Sequence, residues 1–291
     1  SGEVVGVVGE SGCGKSVTAL AVTGLLPPRG VEVSGKALFD GVDLFSLDRR
    51  ARRDLRGRDL AMVFQDPLSS LNPVVPIGRQ VTEVLRRHRG MSGARARTEA
   101  ARLLERVGIP DPGRRLREYP HQLSGGMRQR ALIAMAVACR PRLLIADEPT
   151  TALDVTIQAQ ILELLQDLVR DFGTALILIT HDLGVVAGLC DTVHVLYAGR
   201  VVETASRREL FASPHHPYTV GLLGSIPRLD RPRGERLTPI PGSIHDTLPW
   251  SRGCAYAPRC PRRLDACEAG PPDFIRTASG RAYRCVNPEV A

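Results

Sequence analysis

The chain has 291 residues, of which 43% are hydrophobic, 24% charged and 4% aromatic, a globular composition that excludes a disordered or collagen-like protein. Its longest apolar run, Ala131–Cys139, is much shorter than the roughly 20 residues of a membrane-spanning helix. The formal charge is +8, and all but two of the 39 Lys and Arg residues are arginines. Their densest cluster, at 49–58, is interleaved with aspartates, so we expect a solvated face and no nucleic-acid partner.

The N-terminal half alternates between strand and helix patterns. An apolar strand at Glu3–Val8 leads through a glycine-rich turn, Gly9–Ser16, into a helix that ends at Leu26, before two prolines. Residues 31–64 are predicted to be β-rich. Helical periodicity follows over 81–107, with a break near Gly90–Gly93. No export signal is evident, and because the first residue is not methionine we expect that further residues precede it.

The C-terminal half continues this alternation up to about residue 226. Helices are predicted at 125–139 and 157–172, and strands at 143–146, 175–179 and, as a pair, within 192–202. Strands that alternate with helices predict an α/β fold with a largely parallel, doubly wound sheet. Periodicity fades where prolines, arginines and cysteines become dense, so we expect a core domain at 1–226 and an extension at 227–291.

The turn Gly9–Ser16 matches the phosphate-binding P-loop between a strand and a helix. Its glycines let backbone N–H groups surround an anion at the helix N-terminus. Lys15 is predicted to reach the β- and γ-phosphates of a nucleotide and Ser16 to bind Mg²⁺. The residues predicted to contact the nucleotide are Gly9, Ser11, Gly12, Cys13, Gly14, Lys15 and Ser16.

Two carboxylates end the predicted strand at 143–146. Asp147 is expected to bind Mg²⁺, and Glu148 is expected to orient or deprotonate the attacking water. In isolation, acidic residues at a strand end are common. After a P-loop they indicate a nucleotide-hydrolysing site.

Three further motifs follow in the chain. Gln65 follows an apolar strand, Leu123–Met127 is a Ser-Gly-Gly segment before a predicted helix, and His181 follows another strand. In this order the motifs resemble those of ATP-binding cassette (ABC) ATPases, in which Leu123–Met127 would be the signature and whose family fold is the α/β P-loop NTPase fold with a helical subdomain. Asp154 lies in the segment that corresponds to the D-loop. Individually, Gln65 could be a surface amide, His181 a structural histidine and Asp154 a helix cap.

The resemblance implies roles for these residues and for partners. Glu148, His181 and Gln65 would act in catalysis, with Gln65 also near Mg²⁺. Ser124, Gly125 and Gly126 would complete the ATP site of a second, identical or homologous cassette in a head-to-tail dimer, and Asp154 would also contact ATP. A helical subdomain at about 66–140 would contact the membrane partner.

Shorter motifs resemble the oligopeptide and dipeptide importers within this family. They are Phe64–Pro67, Ser70–Pro73, Tyr119–Gln122, His216–Thr219, Ser225–Pro227 and Gly253–Cys267. The resemblance implies a peripheral protein on the cytoplasmic face of the membrane, two permease subunits and an extracytoplasmic solute-binding protein. Relatives that carry nickel or other small solutes share these motifs. A soluble ABC ATPase acting on nucleic acid and a non-catalytic cassette are the remaining alternatives.

Seven cysteines raise two further questions. Cys13, at a helix N-terminus, is predicted either to be a reactive thiolate, whose alkylation would block nucleotide binding, or to be a small filler residue. Cys254, Cys260, Cys267 and Cys285 are separated by five, six and seventeen residues. In a reducing compartment such a group favours metal over disulfides.

The spacing of these four cysteines does not identify the metal. Zinc ribbons use closer pairs, and ferredoxin spacings do not match. The resemblance implies a structural 4Fe–4S cluster, with zinc or no metal as alternatives. The aromatic residue on which this family stacks adenine is not found before Gly9, and we expect it in preceding sequence.

Overall fold

The computed structural model describes residues 2–225, 239–244 and 252–289. The chain divides into two compact units. The first comprises Val17–Ile177 with the residues at the N-terminus, and the second comprises Val4–Ser16 and the chain from Leu178 onward. Neither unit ends at the predicted domain boundary between residues 226 and 227. That boundary lies outside the described residues, as do Ile226 and Pro227 of the motif Ser225–Pro227. The 1–226 and 227–291 division therefore stays a prediction.

Strands and helices alternate along the described chain, as predicted. The strands are β1 (Val4–Val8), β2 (Leu38–Phe39), β3 (Val42–Asp43), β4 (Leu60–Val63), β5 (Leu143–Asp147), β6 (Ala175–Thr180), β7 (Thr192–Tyr197), β8 (Arg200–Ser206), β9 (Ile275–Arg276) and β10 (Ala282–Tyr283).

The helices are α1 (Lys15–Thr23), α2 (Arg49–Leu55), α3 (Pro67–Ser70), α4 (Ile77–Arg89), α5 (Gly93–Arg106), α6 (Pro112–Arg115), α7 (Gly125–Val137), α8 (Val155–Phe172), α9 (Leu183–Leu189), α10 (Arg207–Ala212), α11 (Pro217–Gly224) and α12 (Ala266–Ala269). Short 3-10 turns lie at Pro120–Gln122 and Ala257–Arg259. None of the helices in the described ranges combines the length and apolar character that a bilayer crossing requires.

In the first unit, β4 and β5 pair in parallel with Leu60 opposite Leu143 and Val63 opposite Ala146. Because both strands end at the same edge, the residues that follow them are brought side by side. Helices α4, α5 and α7 pack on one another and bury apolar side chains such as Ile77, Leu104 and Ile133. Helix α8 buries Ile161, Leu164, Leu165 and Leu168 and ends before Gly173, which adopts the left-handed conformation, in agreement with the helix predicted at 157–172.

The prediction that 31–64 is β-rich is largely wrong. Only β4 and the two-residue pair β2 and β3 form there, while Asp48 caps α2 by accepting from the Ala51 N–H. Two arginines of the cluster have structural partners. Arg56 donates to the carbonyls of Thr23 and Gly24, and Arg52 donates to two carbonyls before α2. The Arg56 bonds satisfy carbonyls at the end of α1, so Arg52 and Arg56 have structural roles. The other arginines of the cluster are exposed, in agreement with the expected solvated face.

The second unit is built on strand β1, which pairs in parallel with β7. Strands β7 and β8 form the predicted antiparallel pair, connected by Ala198–Gly199, where both residues have positive φ. Strand β10 then pairs with β8, and β9 with β10. Residues near the C-terminus thus extend the sheet that begins with β1. The sequence does not reveal this extension because two-residue strands are too short to show a period.

Candidate functional site

The loop Gly9–Ser16, hereafter the phosphate-binding loop, joins β1 to α1 in the second unit. Gly9, Gly12 and Gly14 have φ values of 152°, 82° and 103°, a conformation that side chains disfavour. A Cβ atom at Gly9 would lie 2.2 Å from the Leu196 carbonyl oxygen. The loop therefore needs glycine there for its close approach to β7.

The side chain of Lys15 folds back over the phosphate-binding loop. Its side chain is buried, and its Nζ donates to the carbonyls of Gly9 at 2.8 Å and Glu10 at 3.0 Å. These bonds hold the ammonium group over the loop backbone. A buried cation beside a concave, glycine-rich backbone fits an anionic phosphate ligand.

Cys13 is a buried component of the phosphate-binding loop. Only 1% of the residue is exposed. Burial raises the pKa of its thiol above the usual value, although the Lys15 charge opposes this. Burial and the raised pKa favour the alternative of a small filler residue, because desolvation disfavours the thiolate, and the reactivity of the thiol stays a prediction. Cys13 fills space under the loop, and its carbonyl accepts from Gly199 N–H at 2.8 Å.

The first unit brings Gln65 and Glu148 together. Gln65 follows β4, Glu148 follows β5, and Gln65 Nε2 donates to Glu148 Oε2 at 3.0 Å. Thr151 Oγ1 donates to the same oxygen at 2.9 Å. The parallel register of the two strands explains how residues 83 positions apart meet. The two bonds fix the orientation of the carboxylate.

Glu148 also has an unusual backbone. Its φ is +44°, in the left-handed region, and Ala152 has a φ of +63°. Such positions cost on the order of 1–3 kcal/mol outside glycine and concentrate at functional sites. Asp147, the last residue of β5, is buried beside it. The chain therefore turns sharply where β5 ends, between the carboxylate of Asp147 and that of Glu148.

The signature residues form the N-terminus of α7. Ser124 is exposed and caps the helix by accepting from the Met127 N–H at 3.3 Å. Gly126 lies against α8, since a Cβ there would be 2.9 Å from Ile157 Cγ2. Asp154 caps α8 by accepting from the Ile157 N–H at 3.0 Å. The N-termini of α7 and α8 therefore lie close together, and each of them favours an anion.

The remaining predicted residues lie in the second unit. His181 directly follows β6 and its side chain is exposed. Ser16 is in the first turn of α1 beside Lys15. Carboxylate, hydroxyl and amide oxygens such as those of Asp147, Ser16 and Gln65 are the ligand types that Mg²⁺ prefers.

The four C-terminal cysteines line one small cavity. All are free thiols, and burial raises the pKa of Cys285 to about 11, with its cysteine neighbours adding to the effect. The donor chemistry suits a soft metal. Nevertheless, among the described residues no group of three or more His, Cys, Asp or Glu side chains has an arrangement that could hold a metal ion. The described residues therefore bring the four thiols to one cavity but do not show the arrangement of a metal site, and the 4Fe–4S cluster stays a prediction.

Several residues around the site were not predicted individually. Thr151 binds Glu148, while Tyr218 and Arg259 bind Glu10 of the phosphate-binding loop. Tyr218 and Arg259 belong to motifs that the sequence singles out, at His216–Thr219 and Gly253–Cys267. Those motifs were the available signal, but their contact with the loop is not visible in the sequence.

Comparisons with known proteins show to which family this chain is similar. The ABC transporter family model matches residues 1–151, and the model for the oligopeptide/dipeptide transporter C-terminal region matches residues 202–267. The oligopeptide transport ATP-binding protein OppD of Salmonella typhimurium is 51% identical over 99% of this chain and 85% of its own length. The dipeptide transport ATP-binding protein DppD of Bacillus subtilis is 54% identical over 98% of this chain and 85% of its own.

A solved structure shares the fold. It is a dimeric ATP-binding cassette in a post-hydrolysis state bound to ADP and Pi, with 31% identity and a TM-score of 0.63. The match covers 71% of this chain and 86% of that one. The predicted α/β P-loop fold is confirmed.

Proposed function

This chain belongs to the ABC transporter family, and from that membership we propose that it binds and hydrolyses ATP to energise the import of di- or oligopeptides. Relatives named for oligopeptide and dipeptide transport match it over nearly its whole length. The observation that carries the chemistry is the Glu148 carboxylate, oriented by Gln65 and Thr151 at the end of β5.

The proposed roles follow from the placement of each group. Lys15 and the backbone N–H groups of the phosphate-binding loop would hold the phosphates. Ser16, Asp147 and Gln65 would hold Mg²⁺, which supplies charge neutralisation when bound. Glu148 would accept the proton of the attacking water through its carboxylate, and His181 would act beside the phosphates. Orientation by Gln65 and Thr151 keeps the carboxylate in one position.

The proposed assembly has two cassettes. Ser124 and Gly125 are exposed at the start of α7, where unpaired helix N–H groups favour anions. We propose that these residues, with Gly126 and Asp154, complete the ATP site of a second, identical or homologous subunit. ATP would then stabilise the dimer and hydrolysis would weaken it, because ADP lacks the γ-phosphate.

The proposed setting is the cytoplasmic face of the cell membrane. Two permease subunits would span the bilayer, and an extracytoplasmic solute-binding protein would deliver the peptide. The helical residues at about 66–140 would contact a permease, since they follow Gln65 directly. The ATPase domain would be 1–226, and 227–291 would form the extension.

The function is tested by reconstitution with two permease subunits and a solute-binding protein of the peptide-importer type. We expect ATP hydrolysis in proteoliposomes to rise when the binding protein is loaded with di- or oligopeptides. Nickel salts serve as the control solute. Stimulation by nickel and not by peptides would replace the proposed substrate, and absence of ATP hydrolysis would overturn the enzyme assignment.

For the extension we further propose that Cys254, Cys260, Cys267 and Cys285 hold a structural metal centre, a 4Fe–4S cluster. Support comes from the four thiols around one cavity and from the family resemblance. Cysteine thiolates are the ligands of such clusters. No metal geometry exists among them in the described structure, so the proposal rests on the donor chemistry.

Metal analysis provides the corresponding prediction. Protein purified without oxygen should be brown, with broad absorption at about 400 nm and about four iron atoms per chain. Replacing Cys260 with serine should remove the colour, whereas replacing Cys139, which lies outside the group, should not. Stoichiometric zinc would keep the four-cysteine site but exclude iron, and absence of both metals would overturn the proposal.

A further inference from the structure

Glu10, the second residue of the phosphate-binding loop, is held by residues from the C-terminal part of the chain. All the groups involved belong to the second compact unit. The backbone N–H of Glu10 donates to Tyr218 Oη at 2.8 Å. Its carboxylate accepts two bonds from Arg259, from Nη1 at 2.7 Å and from Nη2 at 2.9 Å. Its carbonyl accepts from Lys15 Nζ.

The Arg259 guanidinium is a buried and fully engaged group. Its side chain is 3% exposed, whereas that of Glu10 is 30% exposed. Nε donates to the Pro241 carbonyl at 2.7 Å and Nη2 to the Gly242 carbonyl at 3.1 Å. A two-pronged arginine–carboxylate pair fixes both distance and plane. Arg259 therefore joins the loop to the backbone at 241–242 in one geometry.

Tyr218 is fixed with equal rigidity. It is fully buried, and its ring packs on Tyr197 and Tyr256 with centroids 4.6 Å and 5.3 Å away. Tyr197 ends β7. The Tyr218 hydroxyl is thus an acceptor at a fixed position for one N–H of the loop.

The two contacts come from motifs that ATP binding by itself does not require. Tyr218 lies in His216–Thr219, and Arg259 directly precedes Cys260 in the cysteine-containing segment. The two residues are separated by 41 positions in sequence but converge on Glu10. An ordinary surface ion pair would not be buried, bidentate and matched by a second bond to the same residue.

We propose that Arg259 and Tyr218 are positioning residues of the ATP site, which act through Glu10 to hold the phosphate-binding loop in its binding conformation. This inference rests on the proposed function, because it assumes that the loop binds ATP. The Glu10 carbonyl also accepts a hydrogen bond from Lys15, so a displacement of Glu10 would also move the Lys15 ammonium group. The C-terminal residues would thereby set the affinity of the loop for ATP.

The test compares Arg259→Gln with Arg262→Gln. Arg262 lies three residues further on and pairs with Glu289 at 2.8 Å, away from the loop. We expect Arg259→Gln to raise the KM for ATP by about tenfold or more, as loss of a charged hydrogen bond does, with a much smaller change in kcat. Arg262→Gln should leave the KM unchanged, even if both variants lower the melting temperature.

A milder pair keeps the test valid if Arg259→Gln does not fold. Tyr218→Phe removes only the hydroxyl that accepts from Glu10, and Tyr283→Phe removes a hydroxyl from β10 as its control. We expect a several-fold rise in KM for Tyr218→Phe alone. In addition, the effects of Glu10→Gln and Arg259→Gln on the KM should not add in the double variant, because each substitution breaks the same ion pair.

The outcomes separate the two levels of the proposal. If the wild-type chain neither binds nor hydrolyses ATP, the proposed function fails. If it does so normally but Arg259→Gln and Tyr218→Phe retain the wild-type KM, the function stands and the positioning role is overturned. A lower melting temperature with unchanged KM would assign these residues to stability alone.

Discussion

Replacing Glu148 with glutamine should lower ATP hydrolysis by about 10²–10⁴-fold, the usual contribution of a general base. The amide keeps the size of the side chain and an oxygen that can accept from Gln65 and Thr151, which donate to Glu148 at 3.0 and 2.9 Å. It cannot take up a proton from water near neutral pH. ATP binding should therefore persist, and the variant should accumulate as an ATP-bound dimer.

Single-turnover hydrolysis and size-exclusion chromatography with MgATP measure these two effects. Glu163→Gln is the matched control, since Glu163 is an exposed glutamate on α8 of the same unit. We expect that control to hydrolyse ATP at the wild-type rate and to show no trapped dimer. Hydrolysis by Glu148→Gln at the wild-type rate would show that another group is the base.

Replacing Lys15 with alanine should weaken binding of ATP by about 10- to 100-fold, because the phosphates lose a charge-assisted hydrogen-bond donor. Hydrolysis should fall by about 10²–10³-fold, the usual effect of removing a group that stabilises developing charge. The ammonium is placed for this role by the carbonyls of Gly9 and Glu10. Titration with a fluorescent ATP analogue and steady-state kinetics measure both quantities.

The chain provides a natural control for that substitution. Lys36 is its only other lysine and is exposed between α1 and β2. Lys36→Ala makes the same change in charge and should bind ATP as the wild type does. Equal losses in both variants would indicate a general effect of charge, and wild-type affinity in Lys15→Ala would remove Lys15 from the site.

Features that depend on neighbouring residues could be predicted from the sequence, whereas features that depend on distant residues could not. The phosphate-binding loop, the caps of α7 and α8 and the stop at Gly173 are determined locally, because a few neighbouring residues set the backbone conformation. The prediction failed at α2, where a single capping aspartate and a run of helix-forming residues outweighed the β pattern assumed for 31–64. The family was also legible, since its motifs are short and ordered.

Only the tertiary structure decided which distant residues meet. The register of β4 on β5 brings Gln65 to Glu148. Burial of Cys13 in the folded chain raises the pKa of its thiol, whereas the helix N-terminus alone predicts a lowered one. Glu10 and Arg259 form an ion pair across 249 positions. Sequence by itself determined the chemistry available at each position, because side-chain type and local backbone preference are local properties. Burial, strand register and long-range pairing depend on the whole chain, so only the folded structure assigns them.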